Sequence, residues 1–305
     1  MRLGLDYGGT KIEGVVLGPE GDERARERVP TPRHDYRGGI EAIRALMERL
    51  EGRAGGRIDR VGIGVPGSVD RKTGHVSMGN STWLHGHDLQ GDLAAALGRP
   101  VKVANDANCF ALSESVDGAG AGGEVVFGVI LGTGVGGGLV VHGRLVEGIN
   151  AIGGEWGHVP LPAPRNDERP GPLCSCGVPG HTESWLSGPN FAADYARRAG
   201  LPVGEGPRAQ EIIELALAGD ALALGTLERF EDRLGRSLAL LVNIIDPDVI
   251  VLGGGMSNVK ELYEQVPRLW APHVFSDSVR TVLRPALHGD SSGVRGAAWL
   301  GTQVG

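Results

Sequence analysis

Short apolar segments alternate with segments of helical period along the chain. At the N-terminus, "RLGLDYGG" and "KIEGVVLG" flank Gly8 and Gly9 with aliphatic and β-branched residues, which predicts two strands joined by a glycine turn. Apolar positions then recur with helical period from Tyr36 to Leu50, and "VGIGVPG" follows as a buried strand. Residues Leu89 to Leu97 predict a second helix, and "VKVAND" predicts a further strand. This alternation predicts the α/β fold class.

The pattern restarts in the second half of the chain. The segment "EVVFGVILGTGVGGGLVVHGRLV" again predicts strand, glycine turn and strand, which is consistent with an internal duplication. Residues 160–172 are rich in proline and charge and predict an exposed loop. Helices, the strand "DVIVLGGG" and a last helix from Gly293 to Leu300 follow. We expect two domains: residues 1–115 with the C-terminal helix 290–305, and residues 116–289.

Composition narrows the class of protein. The 305 residues include 41% hydrophobic residues, 22% charged residues and 52 glycines, which is typical of a globular protein with many tight turns. The net charge of -7 and the scattered basic residues argue against a nucleic-acid partner. The uncharged run from Val125 to Gly143 is too rich in glycine for a membrane helix, and Asp6 interrupts any signal peptide. We therefore expect a cytoplasmic protein without a membrane partner.

Glycine turns carry the first candidate chemistry. In "DYGGTK", backbone N–H groups can converge on an anion, while Thr10 adds a hydroxyl group and Lys11 a cation, which suits a terminal phosphate. A plain hairpin turn is the alternative for this motif taken alone. Two further turns, "LGTGVGGG" and "VLGGGMS", strengthen the nucleotide interpretation. The chain has no Walker loop, and the first turn leads into a strand, unlike a dinucleotide fingerprint. The candidate nucleotide-binding residues are Asp6, Gly8, Gly9, Thr10, Lys11, Gly132, Thr133, Gly134, Gly136, Gly137, Gly253, Gly254 and Gly255.

The segment "CSCGVPGHTE" sets two cysteines one residue apart. A metal site, a redox pair and an ordinary turn are the three interpretations. Redox pairs usually have CxxC spacing, so a CxC followed by a histidine favours zinc. Cys174, Cys176 and His181 would then be ligands, with His158 as the fourth from upstream. The remaining cysteine, Cys109, is expected to be a buried residue of a helix.

The motifs "LGLDYGGTK", "ANDANC", "ILGTGVGGG", "GEWGH", "CSCGVPGHTE" and "VLGGG" together resemble the ROK family of sugar kinases and sugar-responsive repressors. The resemblance covers essentially the whole chain and implies an actin-like, ribonuclease H-like fold of two domains with ATP and a sugar in the cleft between them. It also implies a homo-oligomer, and we expect a homodimer. In the family the cysteine pattern is CxCGxxGC, so His181 stands here in place of the third cysteine. Zinc accepts imidazole as readily as thiolate, so we expect the structural zinc site to persist.

The resemblance also implies a catalytic arrangement. Phosphoryl transfer from ATP to the 6-hydroxyl of a hexose needs a proton acceptor, and Asp106 matches the family's general base. For Asp106 taken alone, the cap of a helix N-terminus is the alternative. Asp6 would place Mg²⁺ on the phosphates. The expected sugar-binding residues are Asn80, Asn105, Asp106, Glu155, His158 and Glu183. Without a ligand, Glu155 and His158 would be a pair at the start of a helix.

Three functions are compatible with some of these residues. A sugar kinase explains all the motifs, whereas a repressor would carry a DNA-binding segment ahead of Asp6, and a bare actin-like ATPase leaves the zinc loop unexplained. Within the kinases, "GNSTWLHG" and "HGDSSGVRGAAWL" resemble the fructokinase or mannokinase branch. Trp83 would close the space that an acetamide group needs, which ranks fructose and mannose first, N-acetylglucosamine second and glucose third.

Overall fold

The computed structural model describes residues 1–70, 72–79 and 81–303. The chain divides into two compact units, Met1–Gly122 with Gly138–Gly154 and Leu287–Gly305, and Gly123–Gly137 with Glu155–Ala286. The domain boundaries expected from the sequence stay a prediction, and the units differ from them most in residues 138–154. Among the described residues, no helix combines the length and the apolar character that crossing a bilayer requires.

Strands and helices alternate through both units. The strands are β1 (Arg2–Tyr7), β2 (Lys11–Leu17), β3 (Glu23–Pro30), β4 (Arg60–Val65), β5 (Ser68–Val69), β6 (Val76–Ser77), β7 (Val101–Asn105), β8 (Val125–Leu131), β9 (Val135–Val141), β10 (Arg144–Leu145), β11 (Val249–Gly253) and β12 (Val282–Pro285). The α-helices are α1 (Tyr36–Ala54), α2 (Leu89–Leu97), α3 (Asp106–Val116), α4 (Glu183–Leu186), α5 (Gly188–Ala199), α6 (Ala209–Leu217), α7 (Ala221–Ile245), α8 (Leu262–Trp270) and α9 (Ser292–Leu300).

The first unit is built on a mixed sheet with the strand order β3-β2-β1-β4-β7. Strands β1, β4 and β7 are parallel, and β2 is antiparallel to both β1 and β3. Alternation along β1 separates two faces, because successive side chains of a strand point to opposite sides. A Cβ at Gly4 would lie 2.0 Å from the carbonyl oxygen of Val294 in α9, so α9 covers this face closely. Asp6 lies on the same face as Gly4, two residues further along.

The second sheet has the strand order β10-β9-β8-β11-β12, with β8, β11 and β12 parallel. This order repeats the order of the first sheet, strand for strand. The repeat of strand, glycine turn and strand in the sequence thus corresponds to β1–β2 and to β8–β9. The boundary between the two units falls inside β9. The α/β class and the two-sheet architecture agree with the sequence prediction.

Residues 160–172 are largely exposed, as the sequence predicts, but one charged side chain of this segment is buried. Residues 160–172 have no hydrophobic period, yet Glu168 is only 3% exposed. Its carboxylate pairs with Arg233 at 2.9 Å and with Arg236 at 3.0 Å, both on α7. Burial alone would raise the pKa of Glu168, but the backbone N–H of Arg165 and these arginines lower it. The segment is therefore anchored by a buried ion pair, which a pattern of apolar residues cannot reveal.

Candidate active site

The first glycine turn is held in place by residues just beyond the end of β3. Thr31 donates its hydroxyl to the Gly8 carbonyl at 2.7 Å, and Arg33 donates its Nε–H to the Gly9 carbonyl at 2.9 Å. The Gly8 N–H donates to the Lys11 carbonyl at 3.0 Å, which closes the hairpin. Thr31 and Arg33 were not predicted from the sequence, because they follow a polar strand that carries no hydrophobic signal.

Asp6 lies beside a buried acidic neighbour. The register of the sheet places Glu13 opposite Asp6, and Arg28 opposite Glu13. Glu13 is 2% exposed and pairs with Arg28 at 2.8 Å and with Lys11 at 3.7 Å. Burial, followed by the charges of Asp106 and Glu13, raises the pKa of Asp6 to about 6. A divalent cation beside Asp6 would relieve this repulsion between carboxylates, so the residues fit Mg²⁺.

Asn105 and Asp106 lie next to each other at the start of α3 and share one hydrogen-bond donor but otherwise make different contacts. The side-chain oxygen of Asn105 accepts from Ala107 N–H at 2.8 Å and so caps the helix, while its amide group donates to the Gly67 carbonyl at 2.9 Å. Asn105 is therefore the N-cap residue, and the Asp106 Oδ1 accepts from the same Ala107 N–H at 2.8 Å. Desolvation by the surrounding protein raises the pKa of Asp106, and Ala107 N–H and Asn105 partly oppose this. Although its surroundings desolvate the carboxylate, Asp106 remains accessible to solvent, as a proton acceptor for a bound molecule must be.

The second and third glycine turns pack against each other in the second unit. Gly254 adopts a left-handed conformation with φ of +81°, and a Cβ there would lie 2.5 Å from the Leu131 carbonyl oxygen. Gly188, the first residue of α5, donates its N–H to the Gly132 carbonyl at 2.8 Å. Only glycine allows this approach at position 254, because any side chain would be strained and would also collide.

A cavity of about 820 Å³ opens beside these two turns. Its lining includes the predicted residues Gly132, Thr133 and Gly255, and also Pro189 of α5 and Arg208 before α6. The lining is mainly apolar, and the volume is within the usual range for a bound small molecule. The residues from α5 and α6 were not predicted, because they come from segments that carry no recognisable motif.

Four predicted metal ligands come together in the second unit. One side-chain ligand atom from each of His158, Cys174, Cys176 and His181 lies within 4.8 Å of the others. The Cys174 Sγ is 3.6 Å from the His158 Nδ1, and the Cys176 Sγ is 3.2 Å from the His181 Nδ1. A tetrahedral zinc ion with its usual bonds would separate sulfur and nitrogen by about 3.6 Å. The donor set and its spacing therefore fit zinc.

Glu183 begins α4, directly after the metal ligands. Its Oε1 accepts from the Ser175 hydroxyl at 2.6 Å, and its Oε2 accepts from the Val135 N–H at 3.0 Å. Burial raises the pKa of Glu183, but these two donors, together with Cys174 and the charge of His158, leave the pKa below its usual value. Glu183 thus joins the segment between the cysteines to the second glycine turn.

Glu155 directly precedes a short 3-10 helix, Trp156–His158, and His158 is its last residue. The side chain of Glu155 does not cap this helix, and the Nδ1 of His158 faces the cysteine Cys174. The predicted site residues of the first unit are thus Asp6, Gly8, Gly9, Thr10, Lys11, Asn105 and Asp106, and the others belong to the second unit. Asn80 lies outside the described residues.

Comparison with known proteins identifies the class. The model of the ROK family matches residues 2–304. An N-acetyl-D-glucosamine kinase from Photobacterium profundum is 40% identical over 304 residues, which covers 98% of this chain and 99% of the relative. The chain therefore belongs to the ROK family, and it is an ATP-dependent sugar kinase of that family.

Two solved structures support the fold. A ROK hexokinase from Thermus thermophilus superposes with a TM-score of 0.86 at 32% identity, covering 98% of this chain and 97% of that one. A ROK family glucokinase from Streptomyces griseus, in complex with glucose and AMPPNP, superposes with a TM-score of 0.77 at 30% identity, covering 99% of each chain. The fold is the actin-like ATPase fold that the sequence motifs predicted.

Proposed function

We propose that the enzyme transfers the γ-phosphoryl group of ATP to the 6-hydroxyl of N-acetyl-D-glucosamine. The observation that carries this choice is the 40% identity to an N-acetyl-D-glucosamine kinase over nearly the full length of both chains. Fructose and mannose were ranked first from the sequence motifs, but this identity favours N-acetylglucosamine over both sugars. N-acetylglucosamine, the second choice there, becomes the first.

The surroundings of Trp83 weaken the steric argument against N-acetylglucosamine. Its ring packs near the first glycine turn, where a Cβ at Gly9 would lie 3.9 Å from the indole. The His34 ring lies edge-on at a centroid distance of 5.2 Å, and Trp83 packs against the apolar core of the first unit. Because the indole is engaged with these neighbours, its size alone gives no reason to expect a barrier to an acetamide group.

Asp106 is the proposed general base. Its exposed carboxylate accepts the proton of the 6-hydroxyl as the oxygen attacks the γ-phosphorus, and Asn105 holds the start of α3 so that this carboxylate stays in place. A raised pKa makes the carboxylate a better proton acceptor than an ordinary aspartate. Glu155, Glu183 and Asn105 are proposed to pair with the sugar hydroxyls, since an unmatched buried polar group costs about 1–3 kcal/mol.

The glycine turns are proposed to hold the nucleotide. The first turn, with Thr10 and Lys11, would bind the terminal phosphates through its N–H groups. The cavity beside the second and third turns would take the adenosine portion, because an apolar pocket of this size suits a planar base. Asp6 is the residue that would hold Mg²⁺, which when bound neutralises charge on the phosphates.

His158, Cys174, Cys176 and His181 are proposed to hold a structural zinc ion. When bound, zinc would cross-link the segments that carry these residues, and four protein ligands leave no position for a reacting water. The role of these side chains is therefore to fix the loop that leads into Glu183. His158 would serve the metal through Nδ1, which faces Cys174.

Initial rates with ATP and Mg²⁺ for N-acetylglucosamine, fructose, mannose and glucose test the function. We expect the highest kcat/KM for N-acetylglucosamine. Asp106→Asn should lower kcat by about 10²–10⁴-fold, since a general base contributes that much. Asp59→Asn, at an exposed site in the same unit, should leave the rate unchanged. A higher kcat/KM for another hexose would contradict the assignment of N-acetylglucosamine as the substrate. An active Asp106→Asn variant would contradict the assignment of Asp106 as the general base.

A further inference from the structure

Ser175 lies between the two cysteines of the metal cluster and contacts the proposed sugar-binding carboxylate. Its hydroxyl donates to the Glu183 Oε1 at 2.6 Å. This distance is typical of a hydrogen bond from a hydroxyl group to an ionised oxygen, which is about twice as strong as a bond between neutral groups. Neither the proposed metal site nor the proposed catalytic step uses Ser175.

The carboxylate of Glu183 is fixed at two points. The Val135 N–H holds one oxygen at 3.0 Å, and Ser175 holds the other. A Cβ at Gly134 would lie 2.9 Å from the Oε2, so this oxygen rests directly against the second glycine turn. Glutamate has three rotatable side-chain torsions, and fixing them costs conformational entropy. Both contacts are therefore needed to hold one orientation before a sugar arrives.

Cys174 cannot replace Ser175 in this role once a metal is bound. Its Sγ lies 3.5 Å from the same Glu183 Oε1. A cysteine that ligates zinc is a thiolate and has no proton to donate. The sulfur would then repel the carboxylate rather than hold it. The Ser175 hydroxyl is thus the donor from this loop that still attracts the Oε1.

We propose that Ser175 is a positioning residue, whose hydroxyl holds the carboxylate of Glu183 in the orientation that binds the sugar. Because Ser175 lies in the cysteine loop, the conformation of this loop also determines the orientation of the Glu183 carboxylate. The inference rests on the proposed function, in which Glu183 is a sugar ligand. It assigns a task to the residue between the two cysteines that differs from metal ligation.

Steady-state kinetics of Ser175→Ala separate positioning from a general structural role. We expect the KM for N-acetylglucosamine to rise about tenfold, since hydrogen bonds to charged groups have effects of this size. The KM for ATP should stay within about twofold of the wild-type value, and zinc should remain near one ion per chain. Ser175→Thr, which keeps the hydroxyl, should restore the sugar KM.

Ser278→Ala, at an exposed serine of the same unit, is the matched control and should change nothing. An unchanged sugar KM in Ser175→Ala would overturn the proposal. So would an equal rise in both KM values or a loss of zinc, because either result indicates a structural role. If the wild-type enzyme phosphorylates none of the four hexoses, the proposed function fails and this inference falls with it. If the wild type phosphorylates N-acetylglucosamine and Ser175→Ala has the same KM for this sugar, the proposed function stands and only this inference is wrong.

Discussion

At the scale of single residues, neighbours in sequence take different tasks according to their contacts. Asn105 and Asp106 are both suited to cap a helix. The backbone direction at the end of β7 assigns the cap to Asn105, whose oxygen accepts from Ala107 N–H at 2.8 Å. Asp106 accepts from the same N–H through its Oδ1 at 2.8 Å, and we propose its carboxylate as the general base. The sequence identified both residues, but only the structure separates their roles.

Glu231 gives a residue-scale prediction about pH. It lies on α7 and is 7% exposed, and burial, then the charges of Glu228 and Glu261, raise its pKa from 4.5 to about 7. The folded state thus holds this proton more tightly than the unfolded state. The resulting stabilisation is complete below pH 4.5 and is lost as the pH rises through about 7.

Replacing Glu231 with glutamine should remove that loss. We expect Glu231→Gln to raise the free energy of unfolding at pH 8.5 by about 2–3 kcal/mol, and to have a much smaller effect at pH 5.5. Urea unfolding at the two pH values measures the difference. Glu205→Gln, at an exposed position of the same unit, should show far less pH dependence. An equal gain at both pH values would contradict the assignment.

At the scale of elements, glycines set how closely α3 and α9 approach. A Cβ at Gly296 would lie 1.6 Å from the carbonyl oxygen of Cys109 in α3, whereas nothing lies within 4 Å of a Cβ at Gly293 on the same helix. Gly296→Ala should therefore lower the free energy of unfolding by about 1–3 kcal/mol, since overpacking forces the helices apart.

Gly293→Ala is the matched control for that substitution. It should be neutral or stabilise the protein by up to about 1 kcal/mol, because alanine favours the helix more than glycine. Thermal and urea unfolding of both variants test the comparison. Equal destabilisation by the two alanines would show that helix approach is not the cause. As the sequence predicted, Cys109 is buried in a helix, and its carbonyl forms the contact surface for α9.

The metal loop is the second element with a direct test. His181→Ala should reduce zinc in chelator-free protein from about one ion per chain to well under one, because one of four ligands is lost. His181→Cys should keep the zinc, as thiolate is an equally suitable ligand. His273→Ala, at an exposed histidine, is the control. Elemental analysis gives the zinc content. An unchanged zinc content in His181→Ala would show that His181 is not a zinc ligand.

At the scale of the whole molecule, the two sheets repeat one strand order and each carries a glycine turn between its first two strands. The turns are similar in sequence, but their surroundings differ. The first is held by Thr31 and Arg33, and the second by Gly188. One architecture thus supplies two glycine turns that are held by different contacts. The homodimer expected from the family resemblance stays a prediction, as do the absence of a nucleic-acid partner and the cytoplasmic location.

The sequence by itself determined the α/β class, the glycine turns, the four His and Cys residues that come together, and the family. These features are local, because hydrophobic period, turn residues and motif spacing are written within short segments. Predicted helices such as Leu89–Leu97 agree with α2 in both bounds. Strand β3, in contrast, has the sequence ERARERVP and no apolar alternation, so it was missed. Edge strands tolerate such charge, and β3 forms because it pairs with β2.

Tertiary structure alone decided contacts between distant segments. The hydrogen bond from Ser175 to Glu183, the support of the first turn by Arg33 and the packing of Trp83 near Gly9 all depend on how loops fold back. No periodicity encodes such contacts, because each joins residues whose separation along the chain is arbitrary. The same holds for the buried ion pairs that anchor residues 160–172 to α7. The sequence motifs therefore predict the class of chemistry, whereas the tertiary structure determines how the side chains of the site are oriented.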